Sequence, residues 1–129
     1  MRLANLFELI QKTLSVSGFK PVPFFRNSYA ESYWILGDEL EKRKLGDWEV
    51  EAIFGMCVCV RVVPHGNQAD ENTSYYLESQ LWERSSKKKI ERVKVSMRSS
   101  ERYIIAQITE FAEGYIRALT EKRVGDLLG

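Results

Sequence analysis

Apolar and polar residues alternate over residues 48–62, WEVEAIFGMCVCVRV, in which every even-numbered position is apolar. A period of two sustained over this length is typical of a β-strand with one face in a core. The pattern therefore predicts one long core strand over 48–62. The other face of this strand carries odd-numbered residues that include Gly55, Cys57, Cys59 and Arg61.

Two segments repeat apolar residues at the spacing of an amphipathic helix. The first covers 2–16 and is followed by Gly18, which can adopt the left-handed conformation that ends a helix while Phe19 folds back on the last turn. The second starts after the serine pair 99–100 and runs to about Lys122. The residues beyond it are expected to fray or to dock loosely.

Two shorter extended segments are expected between the first helix and the core strand. FKPVPFF, residues 19–25, contains Pro21 and Pro23, which cannot donate to a strand ladder, so the segment belongs at a sheet edge if it joins the sheet. Residues 28–36 show some helical spacing, but the aromatic and β-branched content of SYWIL favours a strand over about 30–36.

The segment DELEKRKLG, residues 38–46, carries the signals of a short helix. Asp38 can serve as the N-cap with Glu41 three residues later, cations follow near the end, and Gly46 can terminate the helix. These signals predict about two helical turns between 38 and 46.

Alternation resumes in 75–83 and 89–98, on either side of a hairpin tip at 86–88. With the core strand, these segments make a three-stranded antiparallel meander. A slip of one residue would turn an apolar face towards solvent, so the inner faces must stay in phase. The register that we predict pairs Val60 with Leu77, Val58 with Ser79 and Met56 with Leu81, and then Leu81 with Val93, Ser79 with Val95 and Leu77 with Met97.

The opposite face of the meander is expected to combine aromatic, apolar and basic residues. A large ring opposite a strand glycine stabilises a sheet, so shielding of the backbone is one role for Trp82 and Tyr76. Protein binding is the other, because aromatic residues and arginine are enriched at interface centres. The predicted register places Trp82 between Gly55 and Arg92, and Tyr76 between Arg61 and Arg98. The candidate protein-binding residues are Ile53, Arg61, Tyr76, Trp82, Arg92 and Arg98.

An apolar strip on this face needs a cover, since large apolar patches are rare on soluble monomers. The strip would consist of Ile53, Cys57, Cys59, Tyr76 and Trp82. An internal cover would come from 19–25 or from the short helix. An external cover would be a second copy of the chain or another protein.

The charge of the chain is close to balanced but unevenly distributed. The net charge of +1 and the pI near 7.7 argue against a dedicated polyanion binder. Residues 84–102, however, hold eight basic and two acidic residues, a local charge of +6. Nucleic-acid binding is therefore the alternative function, although lysines at a hairpin also keep a sheet edge unpaired. Its candidate residues are Lys87, Lys88, Lys89, Arg92 and Lys94.

An uncharacterised enzyme is the third alternative and the least supported, because the chemistry-bearing residues form no catalytic arrangement. His65 is the only histidine and, along an extended strand, lies about 20 Å from the cysteines. Cys57 and Cys59 share one strand face about 7 Å apart, too far for an easy disulfide, and with His65 make a poor zinc site. Glu49 and Glu51 are expected to be solvated strand residues. We predict no catalytic residue, metal, cofactor or small-molecule ligand.

These patterns predict a single α+β domain over 1–129. Its two layers are an antiparallel sheet of four to five strands and, on one face, the N-terminal and long C-terminal helices. No apolar run approaches the length of a membrane span and the N-terminus does not resemble a signal peptide, so a soluble, cytoplasmic protein is expected. The expected function is non-catalytic protein binding through the outer sheet face, as a homodimer, an adaptor or an inhibitor of the immunity type.

Overall fold

A computed structural model describes residues 3–22, 31–37, 40–45, 48–53, 55–63, 74–83 and 87–128. These residues form two α-helices and seven β-strands. In chain order the elements are α1 (Leu3–Val16), β1 (Lys20–Pro21), β2 (Glu31–Ile35), β3 (Leu40–Leu45), β4 (Trp48–Ile53), β5 (Gly55–Val63), β6 (Ser74–Trp82), β7 (Lys87–Ser96) and α2 (Glu101–Leu128).

The strands form a five-stranded antiparallel sheet in the order β1-β2-β5-β6-β7, and a separate ribbon of β3 and β4. One core cluster combines apolar residues of both helices with one face of the large sheet. The predicted α+β arrangement is therefore confirmed. The central buried residues of this core include Leu6, Ile10, Met56, Val58, Tyr75, Leu77, Ile104, Ile108 and Tyr115.

The end of α1 has the predicted geometry. Gly18 adopts a φ of 98°, its N–H donates to the Ser15 carbonyl, and the Phe19 N–H donates to the Leu14 carbonyl at 3.0 Å. This pair of bonds is a Schellman motif, which satisfies carbonyls that the last turn leaves without partners. Phe19 folds back into the core, where its ring meets that of Tyr115 edge-on at 4.9 Å between centroids.

The long helix α2 begins as predicted and ends later than predicted. The Ser100 hydroxyl accepts a hydrogen bond from the Tyr103 N–H, so Ser100 is the N-cap. The helix continues past Lys122 to Leu128, because no proline interrupts it and an established helix propagates at little cost. Its last residues, Leu127 and Leu128, are highly exposed and add little to the core.

The predicted single strand over 48–62 is two strands. Trp48–Ile53 pairs with β3, whereas Gly55–Val63 pairs with β2 and β6. Gly55 adopts a φ of 106°, a conformation outside the strand region that glycine tolerates and that breaks the continuity of the ladder. The even positions from Met56 to Val62 do face the main core as predicted.

The predicted short helix is wrong, because Leu40–Leu45 is a strand. Its backbone pairs with β4 from Leu40 opposite Ile53 to Leu45 opposite Trp48. A helix this short is marginal whatever its caps, and the neighbouring segment offers a full ladder of backbone hydrogen bonds instead. The proposed caps at 38 and 46 lie outside the described residues.

In the meander, the register between β5 and β6 is as predicted, whereas the register between β6 and β7 differs from the prediction. Between β5 and β6, Val60 faces Leu77 as predicted. Between β6 and β7, Leu77 faces Val93 rather than Met97, and the register shifts at Ser79 and Gln80. From Leu77 to Ser79 the error is four residues, an even number, so the inner faces stay in phase there. Beyond the shift, Leu81 faces Lys88 rather than Val93, an error of five residues that turns Lys88 to the inner side. The main cause of the error is that β7 begins at Lys87, which places Lys87 and Lys88 in the strand and not at a hairpin tip.

A candidate binding face on the sheet

The face of the large sheet that points away from the helices is called the outer face here. The central strands β5 and β6 pair with neighbours on both sides, so their outward side chains lie in the middle of this face. The register assigns to the outer face Glu31, Tyr33 and Ile35 of β2; Gly55, Cys57, Cys59, Arg61 and Val63 of β5; Tyr76, Glu78, Gln80 and Trp82 of β6; and Lys87, Lys89, Arg92 and Lys94 of β7.

The apolar part of the outer face is covered by the chain itself. Val22, Ile35, Ile53 and Cys57 form a second buried cluster, with Tyr33 and Trp82 packed against it. Val22 belongs to the segment 19–25, which was one of the two internal covers considered, and Ile53 ends β4. Ile53 is only 3% exposed and is therefore a packing residue of this cluster.

Trp82 is held by contacts within the chain. It lies opposite Gly55 as predicted, and its Nε1–H donates to the Gln80 Oε1 at 2.8 Å. The Trp82 ring meets the Tyr33 ring edge-on at 5.9 Å between centroids. The Lys87 Nζ lies 5.5 Å from the centroid of the Trp82 ring. Trp82 therefore packs on the sheet opposite Gly55, and the protein-binding role stays a prediction.

A buried polar chain crosses the outer face through Gln80, which is fully buried. The Gln80 Nε2 donates to the Glu78 Oε1 at 2.8 Å, and its Oε1 accepts from Trp82 and, at 3.8 Å, from the Cys57 thiol. Such a chain is stable because its amide is satisfied on both sides. One sign of this buried polar chain is present in the sequence. Glu78 and Gln80 lie on a strand with a predicted neighbour on each side, and polar side chains that point outward from such a strand can also become buried.

Glu78 is the acidic centre of the outer face. Its carboxylate accepts from the Arg92 Nε at 3.2 Å and lies 3.9 Å from the Lys89 Nζ. Burial alone would raise the pKa of this carboxyl, but the hydrogen bonds from Gln80 and Arg92 and the charges of Lys89 and Arg92 outweigh it, so the pKa lies below its usual value. Glu78 is therefore ionised at neutral pH.

Arg92 links Glu78 to Tyr76. Its guanidinium carbon lies 4.6 Å from the centroid of the Tyr76 ring, a cation–π contact. The predicted register placed Arg92 opposite Trp82; the observed one places it opposite Glu78. Next to this group is a pocket of about 140 Å³, lined by Cys59, Arg61, Val63, Tyr76, Glu78 and Arg92.

The basic residues singled out in the sequence separate into two groups. Arg61, Lys87, Lys89, Arg92 and Lys94 are exposed on the outer face. Lys88 faces the opposite side, since it pairs with Leu81. Arg98 was predicted to lie beside Tyr76, but that position is taken by Lys94, and Arg98 follows the end of β7. The register shift that turns Lys88 inward and the end of β7 before Arg98 thus remove two of the predicted cations from the face.

The two cysteines are free thiols in the interior of the outer face. Both are buried. Desolvation and the neighbouring Cys59 raise the pKa of Cys57 to about 12, and desolvation also raises the pKa of Cys59. A thiol with a raised pKa is a weak nucleophile, so neither cysteine suits catalysis.

The described part of the chain contains no candidate metal site. No three His, Cys, Asp or Glu side chains within it lie close enough to hold a metal ion. His65 lies outside the described residues, as do the side chains of Glu49 and Glu51. Neither described helix is both long and apolar enough to cross a membrane.

The arrangement defines an α+β chain with a mixed-charge sheet face, in which cations surround a buried carboxylate. Comparison of the chain with protein-family models, with curated proteins and with solved structures gives no match.

Proposed function

We propose that this chain is a non-catalytic protein-binding module that uses the outer face to hold an acidic surface of a partner protein. The observation that supports this most is the display of five exposed cations on one face of the sheet. They are Arg61, Lys87, Lys89, Arg92 and Lys94. Against them stand two described carboxylates on the same face, Glu31 and Glu78, so the face is positive overall.

The charge of the face favours a different protein over a second copy of the chain. Two outer faces brought together would oppose cation to cation, and like charges at an interface are unfavourable. The apolar residues that could offset this repulsion, Ile53 and Cys57 among them, are already buried. Within the proposed class, an adaptor or an inhibitor of the immunity type fits this face better than a homodimer does.

Nucleic-acid binding is the second candidate, on a specific observation about spacing. Lys87 and Lys89 alternate along β7, and alternate residues of a strand lie about 7 Å apart, which is comparable to the spacing of successive phosphates. The aromatic residues weigh against single-strand binding, because the Trp82 ring is already in contact with Lys87 and Tyr33, and the Tyr76 ring with Arg92. Rings in such contacts are poor stacking platforms for bases.

Binding to immobilised probes at low and high salt separates the two candidates. The probes are a polyglutamate peptide and a single-stranded oligonucleotide of equal charge. The test variant carries Lys87→Ser and Lys89→Ser. The matched control carries Lys88→Ser and Arg102→Ser, which remove the same charge away from the outer face.

Retention on polyglutamate at low salt, lost in the test variant and kept in the control, supports the protein-binding proposal. Stronger retention on the oligonucleotide with the same dependence favours the second candidate. If neither probe is retained at low salt, or if both variants behave alike, the outer face is not a binding surface for acidic partners.

A further inference from the structure

The pocket beside Tyr76 has the size of a single functional group. Its volume is about 140 Å³. A buried water needs about 10–15 Å³ on such a measure, so the pocket holds a group of several non-hydrogen atoms. Sites for drug-sized ligands occupy about 300–1,000 Å³. One side-chain head group therefore fills the pocket, whereas a nucleotide or a large cofactor would extend well beyond its lining residues.

The charges around the pocket select a monoanion. Arg61 and Arg92 contribute two positive charges and Glu78 one negative charge. Cys59 is neutral, because its burial raises the pKa of the thiol. The lining is thus positive by one charge. Glu31, opposite Arg61, and Lys94, opposite Tyr76, flank the pocket with one charge of each sign and leave this balance unchanged. A dianion such as phosphate would gain from the arginines but would also face the Glu78 carboxylate, which opposes its second charge.

The geometry of Arg92 prepares it for a planar anion. Its Nε donates to the Glu78 Oε2 at 3.2 Å, and its guanidinium packs on the Tyr76 ring. The terminal amino groups of a guanidinium remain as a rigid fork that matches the two oxygens of a carboxylate. A donor held in place before binding loses less entropy when the ligand arrives.

The remaining walls are suited to an apolar stem. Val63 and the Tyr76 ring line the same pocket as the two arginines. A methylene chain leading to a carboxylate can lie along these walls while the charged end reaches the guanidinium groups. The combination of two arginines, one ring and one aliphatic side chain therefore fits a carboxylate on a short chain.

We propose that this pocket binds a carboxylate on a short apolar stem, held between Arg61 and Arg92. The inference rests on the proposed function, because the expected occupant is an aspartate or glutamate side chain of the acidic partner. A free small carboxylic acid has the same chemistry and is the other possible source.

The experiment follows the arginine Nε–Hε signals of the ¹⁵N-labelled protein during titration. Sodium propionate is the carboxylate probe, and propionamide, inorganic phosphate and a capped Gly-Glu-Gly peptide are compared with it at constant ionic strength. The expected result is a saturable shift of the Arg61 and Arg92 signals with propionate and none with propionamide. Arg61→Gln should weaken the apparent affinity about tenfold, since a charged hydrogen bond is lost. Arg102→Gln, an exposed control on α2, should leave it unchanged.

The peptide separates the two sources. If it binds at least as well as propionate, the occupant is a protein side chain; if only propionate binds, it is a free acid. The proposal is overturned if propionate gives no saturable shift, or if propionamide or phosphate binds as tightly as propionate. It is also overturned if the Arg61→Gln and Arg102→Gln variants bind propionate with the same affinity. If retention on polyglutamate still depends on Lys87 and Lys89 but Arg61→Gln does not change propionate binding, the pocket proposal is wrong and the proposed function stands.

Discussion

Glu78 on β6 and Arg92 on β7 face each other across the strand pair and share a hydrogen bond of 3.2 Å. The Glu78 side chain is 10% exposed and that of Arg92 is 49% exposed, so the carboxylate is the buried partner. A buried carboxylate persists only with partners that stabilise its charge. Besides Arg92, the partners of the Glu78 carboxylate are Gln80 and Lys89.

This arrangement predicts a pH-dependent contribution of Glu78 to stability. Because its pKa is lowered in the folded chain, the contribution is complete above the ordinary value of 4.5 and is lost as the pH falls through the lowered folded value. Glu78→Gln should therefore cost about 1 kcal/mol or more at pH 7, since solvent screens the half-exposed Arg92 and weakens its ion pair with Glu78. The deficit should shrink between pH 5 and pH 3.

Urea unfolding at several pH values measures this difference between variant and parent chain. Glu83→Gln serves as the control, because Glu83 is exposed and belongs to no described ion pair. Its effect should be small at every pH. A Glu78→Gln deficit that stays constant or grows on acidification would show that the carboxylate is not stabilised in the folded state.

Two glycines make a matched pair for backbone effects. Gly18 has a φ of 98°, and a Cβ added there would lie 3.2 Å from the Leu36 Cδ1. Gly18→Ala should destabilise the chain by about 1–2 kcal/mol, since the left-handed conformation is unfavourable for alanine. Gly125 lies within α2 with open space around it, so Gly125→Ala should stabilise by up to about 1 kcal/mol.

Thermal or chemical unfolding of both variants tests this pair. The opposite signs are the essential result, because both substitutions add the same methyl group. Equal effects would mean that the turn after α1 relaxes without cost.

The buried thiols should be nearly unreactive in the folded chain. Cys57 is fully buried and Cys59 is 3% exposed, and the pKa of each is raised by desolvation. A disulfide reagent at pH 8 should modify them at least about a hundredfold more slowly than in denaturant, since the thiolate is the reacting form. Absorbance of the released thiol measures both rates.

Val16→Cys supplies the accessible reference, because Val16 is 82% exposed. That thiol should react at the rate of an unfolded cysteine while the other two stay protected. Fast modification of all three in the folded chain would contradict the packing of the outer face.

Several features were predictable because they depend on neighbours in the chain. The glycine and phenylalanine after α1 form a local cap, and the alternation around Val60 and Leu77 allows one phase of pairing. The helix predicted between 38 and 46 was wrong because its local signals competed with pairing to β4, and the periodicity of one segment does not report such a partner. The predicted register of β7 was wrong because alternation fixes only the phase of pairing. It indicates neither that β7 begins at Lys87 nor that the register shifts at Ser79 and Gln80.

The outer face shows the same division between local pattern and tertiary structure. Alternation along the strands correctly predicted that Trp82, Tyr76 and Arg61 point outward, because successive side chains of a strand point to opposite faces. Which outward side chains stay accessible depends on packing between segments. Val22, from a segment remote in the chain, and Ile53, from the end of the separate β3–β4 ribbon, bury Cys57. The cations of β7, by contrast, lie on an edge strand with a neighbour on one side only. Burial depends on how these segments pack together, and no periodicity within one segment can report it.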